Sequence, residues 1–442
     1  MNGLRGKGGV LRGTAFAAVA AFCLSSPAAA LDSKAPSNTD ALPLVIRGQE
    51  VPSLLGENPL KLSAFTCKGE SAVPLLFQVD EVNADGRVLP AEAAPRLLAD
   101  EKPGVLDEND EIVLLLRDLQ GECPSERLVQ AQGKVTAVQV SAEYLKAPAW
   151  VYFLAGERGY VPSGGYVRYD AAKNLAATSA QSWGYLPQQP AITSLISYRD
   201  LRGREEEDLV DRLKVRFKIR ALKSLVRLSI DEDDLEYALE GVRTGPVRVS
   251  REVTVTVKTV PGFTLHAFVR YEHYERLWRG HVRFRVPGLA ALFLSSMDAT
   301  FAHDFTDLRG LTLLTSGLPQ GALIDGKMIE REKSILFGTE PWYFLSGGGL
   351  NQVTALDLDK GLDLRAGTLF IDDPAYEDPP EGTPGGVPTI GYQFLGWENL
   401  EARWYSFGAN VATLRGFPEG GASGFYKTLH APVTIKAGDG KK

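Results

Sequence analysis

Glu81-x-Asn83-x-Asp85-Gly86, with Glu92 eleven residues after Glu81, sets oxygen-bearing side chains at the spacing of a Ca²⁺ loop. Gly86 stands at the sixth position, where such a loop turns sharply, and Glu92 at the twelfth. The pattern predicts a structural Ca²⁺ held by Glu81, Asn83, Asp85 and Glu92. A competing reading is a hairpin, because Asp85-Gly86 supplies the positive φ that tight turns need. Glu at the first position instead of Asp, strand-like flanks and Pro90 inside the loop favour the hairpin. A second acidic run, Asp107-Glu108-Asn109-Asp110-Glu111, either completes such a site in space or forms a solvated turn.

Arg212, Lys214, Arg216, Lys218 and Arg220 repeat at period two, so five cations project from one face of one strand. Cross-strand pairing with Glu252, Glu272 or the run Asp231–Asp234 would neutralise them. The functional alternative is a groove for an acidic polymer such as a uronate-containing glycan. Arg270, Tyr271, His273 and His281 offer the side chains for proton abstraction beside a carboxylate or acid–base work on a sugar. Three of the five histidines fall within sixteen residues there, at spacings that match no zinc signature. Alternation puts Arg270, Glu272 and Tyr274 on one face and Tyr271 and His273 on the other. Trp342, Tyr343, Trp397, Trp404 and Tyr405 read either as a sugar-stacking platform or as core. No G-x-S-x-G and no phosphate-binding G-x-x-x-x-G-K-[ST] occurs, and Gly347-Gly348-Gly349 lacks the helix that phosphate binding needs.

These side chains need strands to position them. Short apolar runs (Leu42–Ile46, Val73–Val79, Ile112–Leu116, Val135–Val140, Trp150–Leu154) separated by turn signals predict a β-sandwich module over 41–160. The stretch 161–200 reads as a connecting segment. Over 201–442, Leu213 to Ile219, Val247 to Val257 and Phe263 to Tyr271 alternate apolar with polar, which predicts long antiparallel strands with one wet face. The expectation is a mostly β protein of two antiparallel sandwich-like domains, the second a large sandwich or supersandwich. Leu289–Leu294 is at most a short helix. Asp372–Pro388 is a long Pro- and acid-rich loop, a lid or a crossing.

The chain has 442 residues, 44% of them hydrophobic and 23% charged, which is ordinary for a folded globular protein. Arg5, Lys7 and Arg12, the apolar run Thr14–Ser26 and Pro27-Ala28-Ala29-Ala30 predict a signal peptide over 1–30, with a flexible stretch to residue 40. That apolar run is too short to span a bilayer. Three of the 48 basic residues lie in this leader, leaving 45 against 55 acidic and a charge of −10. Such a balance argues against nucleic acid or anionic membranes as partners. In the oxidising compartment this implies, periplasmic or extracellular, Cys67 and Cys123 are expected to form a disulfide.

The stretch Phe77-Gln78-Val79-Asp80-Glu81-Val82-Asn83-Ala84-Asp85-Gly86-Arg87, followed by Leu106–Val113, resembles exported β-rich bacterial proteins of the domain-of-unknown-function kind found near polysaccharide-degradation systems. The resemblance covers about 50 residues. It implies a sandwich fold and a glycan context, and brings no catalytic residues. Together these readings predict an exported protein that binds a glycan or another cell-envelope component. The rival readings are a lyase or mutarotase-like carbohydrate enzyme on the large sandwich, and a non-catalytic envelope assembly partner.

Overall fold

Period-two alternation becomes strand wherever it is sustained. The computed structural model of the protein describes residues 38–90, 97–129, 133–260, 263–288, 294–333, 336–376 and 388–439. Its long strands include Val210–Ala221, Val249–Val260, Phe263–His273 and Leu277–Arg285. The protein is mostly β and its strand ladders are antiparallel. The predicted leader and most of the stretch expected to be flexible lie outside the described residues, as do Leu289–Phe293 of the expected short helix and 377–387 of the long acidic loop.

The largest sheet has nine strands, in the order Glu236–Thr244, Val249–Val260, Phe263–His273, Leu277–Arg285, Trp404–Thr413, Leu350–Leu358, Trp342–Gly347, Thr312–Thr315, Leu318–Leu323. Val253, Val255, Val269 and Phe284 on its inner face share an apolar core with Leu213, Val215, Phe217 and Ile219 of a five-stranded sheet. An apolar cavity of about 590 Å³ lies between the two sheets. The hydroxyls of Tyr237 and Tyr271 on its wall donate to the carbonyls of Glu232 and Ala191.

A second core joins the nine-stranded sheet to the N-terminal strands. Leu44, Ile46, Val113 and Phe153 pack there with Trp342, Phe344, Val353 and Phe425 of the helix Gly421–His430. Residues 36–442 form one compact unit. The strand Thr434–Asp439 pairs with Lys134–Ser141, so the C-terminal strand completes a sheet built from the N-terminal part of the chain.

The stretch 161–200 is more than a connection. It forms a four-stranded antiparallel sheet, Val167–Asp170 to Thr193–Tyr198, against the inner core. Its Gly and Ser residues masked the apolar content: Trp183, Tyr185, Ile196 and Tyr198 are all buried. Arg251, also buried, crosses to this sheet. It donates to the Pro190 carbonyl and to Asn174 and lies over the Tyr185 ring at 3.7 Å.

Cys67 and Cys123 are bonded, with Cα atoms 5.2 Å apart, in a small cluster with Leu128, Val135 and Tyr152. The chain-entropy account of a loop of this length gives about 4 kcal/mol of stabilisation. Replacing both cysteines by Ser is therefore expected to lower unfolding stability by about that amount, read as a fall in the urea midpoint with a somewhat steeper slope, because the denatured chain without the cross-link is less compact.

Arg248, 1% exposed, sits between the N-terminal strands and the large sheet. It pairs with Asp80 at 2.6 Å, Glu111 at 2.7 Å and Glu272 at 2.9 Å. Burial opposes its charge, and Tyr274, Glu272, Asp80 and Glu111 outweigh that, holding the guanidinium pKa well above its ordinary range. Removing one member of a buried ion cluster strands the others in low dielectric. Arg248→Met is expected to cost about 3–5 kcal/mol in chemical denaturation, with part recovered when Asp80→Asn is added.

Candidate functional site

On the outer face of the nine-stranded sheet, away from the inner core, a polar cleft of about 1260 Å³ opens against the N-terminal strands. Strand register builds its floor. Glu252 pairs with Arg270, Arg270 with His281, His281 with Gly408, and Gly408 with Asp357. Directly paired residues share a face, so one row crosses five strands with a gap at Gly408. A Cβ there would meet the Gly280 carbonyl oxygen at 2.8 Å, and the close approach of the two strands therefore requires glycine. With strands about 4.8 Å apart, His281 and Asp357 flank an open space about two strand spacings wide.

The row is not uniformly vacant. Arg270 donates to Glu252 at 2.6 Å and to the Gly86 carbonyl, and Arg87 also pairs with Glu252. Arg248, Arg279 and Arg270 overcome the burial that would raise the Glu272 pKa, and hold its carboxyl down at about 2. The side chains of His281 and Asp357, by contrast, make no hydrogen bond or ion pair among the described residues. Burial and then Arg270 push the His281 imidazole below its usual value, while Asp357 and Glu272 pull it back up. It is thus held neutral near pH 7. Trp404, 40% exposed, lies on the same cleft with Arg283 at 4.6 Å over its ring and Phe268 stacked at 6.0 Å.

Of the four residues nominated for chemistry, the cleft holds Arg270 and His281. Tyr271 and His273 point to the opposite face, as alternation predicts, and are buried in the inner core. Tyr271 donates to the Ala191 carbonyl, and His273 Nε2 lies 3.0 Å from the Tyr185 hydroxyl. The two pairs cannot act together, because the sheet itself separates them.

The basic ladder lies elsewhere, on the outer face of Val210–Ala221 in the five-stranded sheet. Arg212 and Arg216 pair with Glu232, and Lys214 pairs with Asp304 at 2.9 Å. Lys218 and Arg220 are exposed. Of the carboxylates nominated to neutralise the ladder, the run Asp231–Asp234 does so through Glu232 and Asp233, while Glu252 and Glu272 serve arginines of the large sheet instead. Among the aromatics, Trp342 and Trp397 are core residues, with Trp342 Nε1 donating to Glu340 and Trp397 Nε1 to the Phe394 carbonyl. Trp404 differs because its strand end is left uncovered.

The nominated Ca²⁺ loop is a hairpin in which Val82 bridges Val88 and Gly86 has φ +73°. The Asn83 side-chain oxygen accepts from the Asp85 and Arg87 N–H groups, and Glu81 accepts from Gly104 N–H. The Asp85 and Gly86 carbonyls accept from Arg283 and Arg270, which docks the hairpin tip against the cleft floor. Glu92 lies outside the described residues.

Sequence reasoning missed Asp357, Asp80, Arg248 and Gly408. Arg248 stands on the polar side of an alternating run, which reads as a wet face, so nothing along the chain signalled its burial. Asp357 carried none, since His281, which it faces across Gly408, is 76 residues away along the chain.

No family model matches the chain. No curated protein matches it. Among solved structures, an alpha-mannosidase from Enterococcus faecalis V583 is similar over 88% of this chain and 47% of its own, at 8% identity and a TM-score of 0.42. A protein in the Glycosyl Hydrolase Family 38 from Enterococcus faecalis is similar over 92% and 49%, at 9% identity and a TM-score of 0.40. A GalM/aldose epimerase homologue from C. elegans is similar over 53% and 96%, at 10% identity and a TM-score of 0.35. The chain spans about half the length of the first two. Likeness at this level assigns neither family nor activity.

Two histidines of the interior, His273 buried and His303 half-buried, generate a stability prediction. Burial holds His303 down at about 4, and burial with Arg251 holds His273 well below its ordinary value. Both fold neutral, whereas the unfolded chain binds their protons below about pH 6.5. Their contribution is complete above that pH and is lost as pH falls through the folded values. His303→Phe is expected to flatten the fall in unfolding free energy between pH 6 and pH 4.5, by up to about 1.4 kcal/mol per pH unit.

Proposed function

We propose that this protein is exported and binds a glycan, or another polyhydroxylated component of the cell envelope, in the cleft on the outer face of the nine-stranded sheet. The observation that carries this reading is His281 and Asp357, both without partners among the described residues, facing one another across Gly408. A sugar presents hydroxyls that both donate and accept, together with apolar C–H faces. A neutral imidazole and a carboxylate meet the first, and the exposed edge of an aromatic meets the second. The cleft carries both signs of charge rather than one, which fits a polyhydroxylated ligand better than a purely anionic polymer. The bonded Cys67–Cys123 pair suits an oxidising compartment. Among the described residues no helix is long and apolar enough to cross a membrane.

A second reading is catalytic. An imidazole held neutral near pH 7 opposite a carboxylate is a pair that can exchange a proton with one ligand hydroxyl or ring carbon between them. Arg270, in register with His281, then acts on the imidazole by depressing its basicity.

Calorimetric titration of the full chain with neutral and acidic oligosaccharides tests both readings. The expected result is one saturable site for an oligosaccharide, weakened about tenfold or more by Trp404→Ala and by Asp357→Asn. Thermal unfolding of these variants should stay close to that of the parent, since neither side chain is buried. Turnover that His281→Ala abolishes, with affinity retained, selects the catalytic reading. Saccharide binding unchanged in Trp404→Ala and Asp357→Asn would refute the placement in this cleft.

A further inference from the structure

Three carboxylates meet beside the cleft with no counter-charge among the described residues. The side-chain oxygens of Asp100, Asp107 and Asp110 that face one another all lie within 4.8 Å. Asp110 is held by two backbone donors, Val82 N–H at 3.0 Å on Oδ1 and Asp107 N–H at 2.8 Å on Oδ2. Asp107 Oδ1 accepts from Asn109 N–H at 3.2 Å. Asp100 is different. It is 9% exposed, and both its carboxylate oxygens are buried with no hydrogen-bond partner among the described residues.

A buried carboxylate without a donor is costly, and one aimed at two others is costlier still. Burial, followed by backbone donors that pull the other way and by the charges of Asp107 and Asp100, leaves the Asp110 pKa at about 6. Burial first and the charge of Asp107 next raise the Asp100 pKa, with Glu81 adding to the rise and the nearby Glu101 and Lys102 backbone pulling the other way. Acidic turns on a protein surface are common and need no ion. What separates this one is the pair of unpartnered oxygens on a side chain nine-tenths buried.

We propose that Asp100, Asp107 and Asp110 form a binding site for one Ca²⁺. The donor set is all oxygen and carboxylate-rich, which selects a hard cation and disfavours zinc or copper, whose sites favour nitrogen and sulfur. Asp100 offers two oxygens that meet no donor at hydrogen-bond geometry among the described residues, Asp107 offers one, and Asp110 is fixed in place by the backbone. Calcium tolerates irregular coordination completed by water or carbonyls, whereas Mg²⁺ demands a near-ideal octahedron. The ion would tie the segment ending at Asp100 to the turn Asp107–Asp110. Asn109 of that turn donates to the Val82 carbonyl at 2.6 Å and so holds the hairpin that docks on the cleft floor. Glu81 contributes charge nearby, while Asn83 and Asp85 serve the hairpin rather than the ion. This assignment is independent of the ligand bound in the cleft.

The test is a Ca²⁺ titration of the chelator-treated full chain, followed by calorimetry and by thermal unfolding. Expected are one Ca²⁺ per chain and a melting temperature that climbs with Ca²⁺ concentration. Asp100→Asn should weaken binding at least tenfold and melt no lower than the parent in chelator, because a repulsive charge is gone. Asp85→Asn should bind as the parent does. If Asp100→Asn fails to fold, Asp107→Asn serves in its place. No heat and no thermal shift in the parent would overturn the site. So would parental affinity in the Asp100 and Asp107 variants, or loss of binding in Asp85→Asn alone. An equal response to Mg²⁺ would overturn the assignment to calcium.

Discussion

One buried guanidinium holds the two halves of the protein in register. Arg248 reaches Asp80 and Glu111 on the N-terminal strands and Glu272 on the large sheet. Gln78 adds to the clamp, accepting from the Val247 and Arg248 N–H groups and donating to the Arg248 carbonyl. An ion cluster of this kind is not an efficient source of stability, because desolvation offsets most of the attraction. Its effect is geometric. The charges are satisfied in one arrangement only, and that arrangement sets the N-terminal strands against the outer face of the nine-stranded sheet.

The cleft follows from that placement. Where the N-terminal strands cover the sheet, its outer face is apolar and packs Trp342, Phe344 and Val353 into the second core. Where they stop, the same face carries arginine, glutamate and histidine. The hairpin 82–88 marks the border, with its carbonyls on Arg270 and Arg283 and its Val88 N–H on Glu252. Most of the charged groups at this border neutralise one another. What stays available lies beyond those pairings on three successive strands, His281, Trp404 and Asp357.

The two faces of one strand do different work. In Phe263–His273 the even positions Arg270 and Glu272 belong to the ion network and the cleft. The odd positions Tyr271 and His273 belong to the inner core with Tyr185 and Trp278. A cluster of His, Tyr and Arg that looks like one site along the chain is two half-sets divided by a sheet. Only their periodicity, not their proximity, says which can meet.

What the amino-acid sequence determined alone was everything that depends on neighbours along the chain. The pleat turns alternation into strand and decides which residues share a face, so the long strands, the inward Leu213 to Ile219 and the split of Arg270 from His273 were all legible. The Cys67–Cys123 pairing was legible too, because the third cysteine, Cys23, falls in the stretch read as a leader. Tertiary structure decided what depends on strand order. Nothing near Asp357 announces that Gly408 and His281 will stand beside it, nor that Glu232 rather than Glu252 will take Arg212 and Arg216. The Gly- and Ser-bearing stretch 161–200 folds because Trp183 and Tyr198 find a core supplied by other strands. Local periodicity is imposed by backbone geometry residue by residue, whereas cross-strand partners are chosen by the packing of the whole chain.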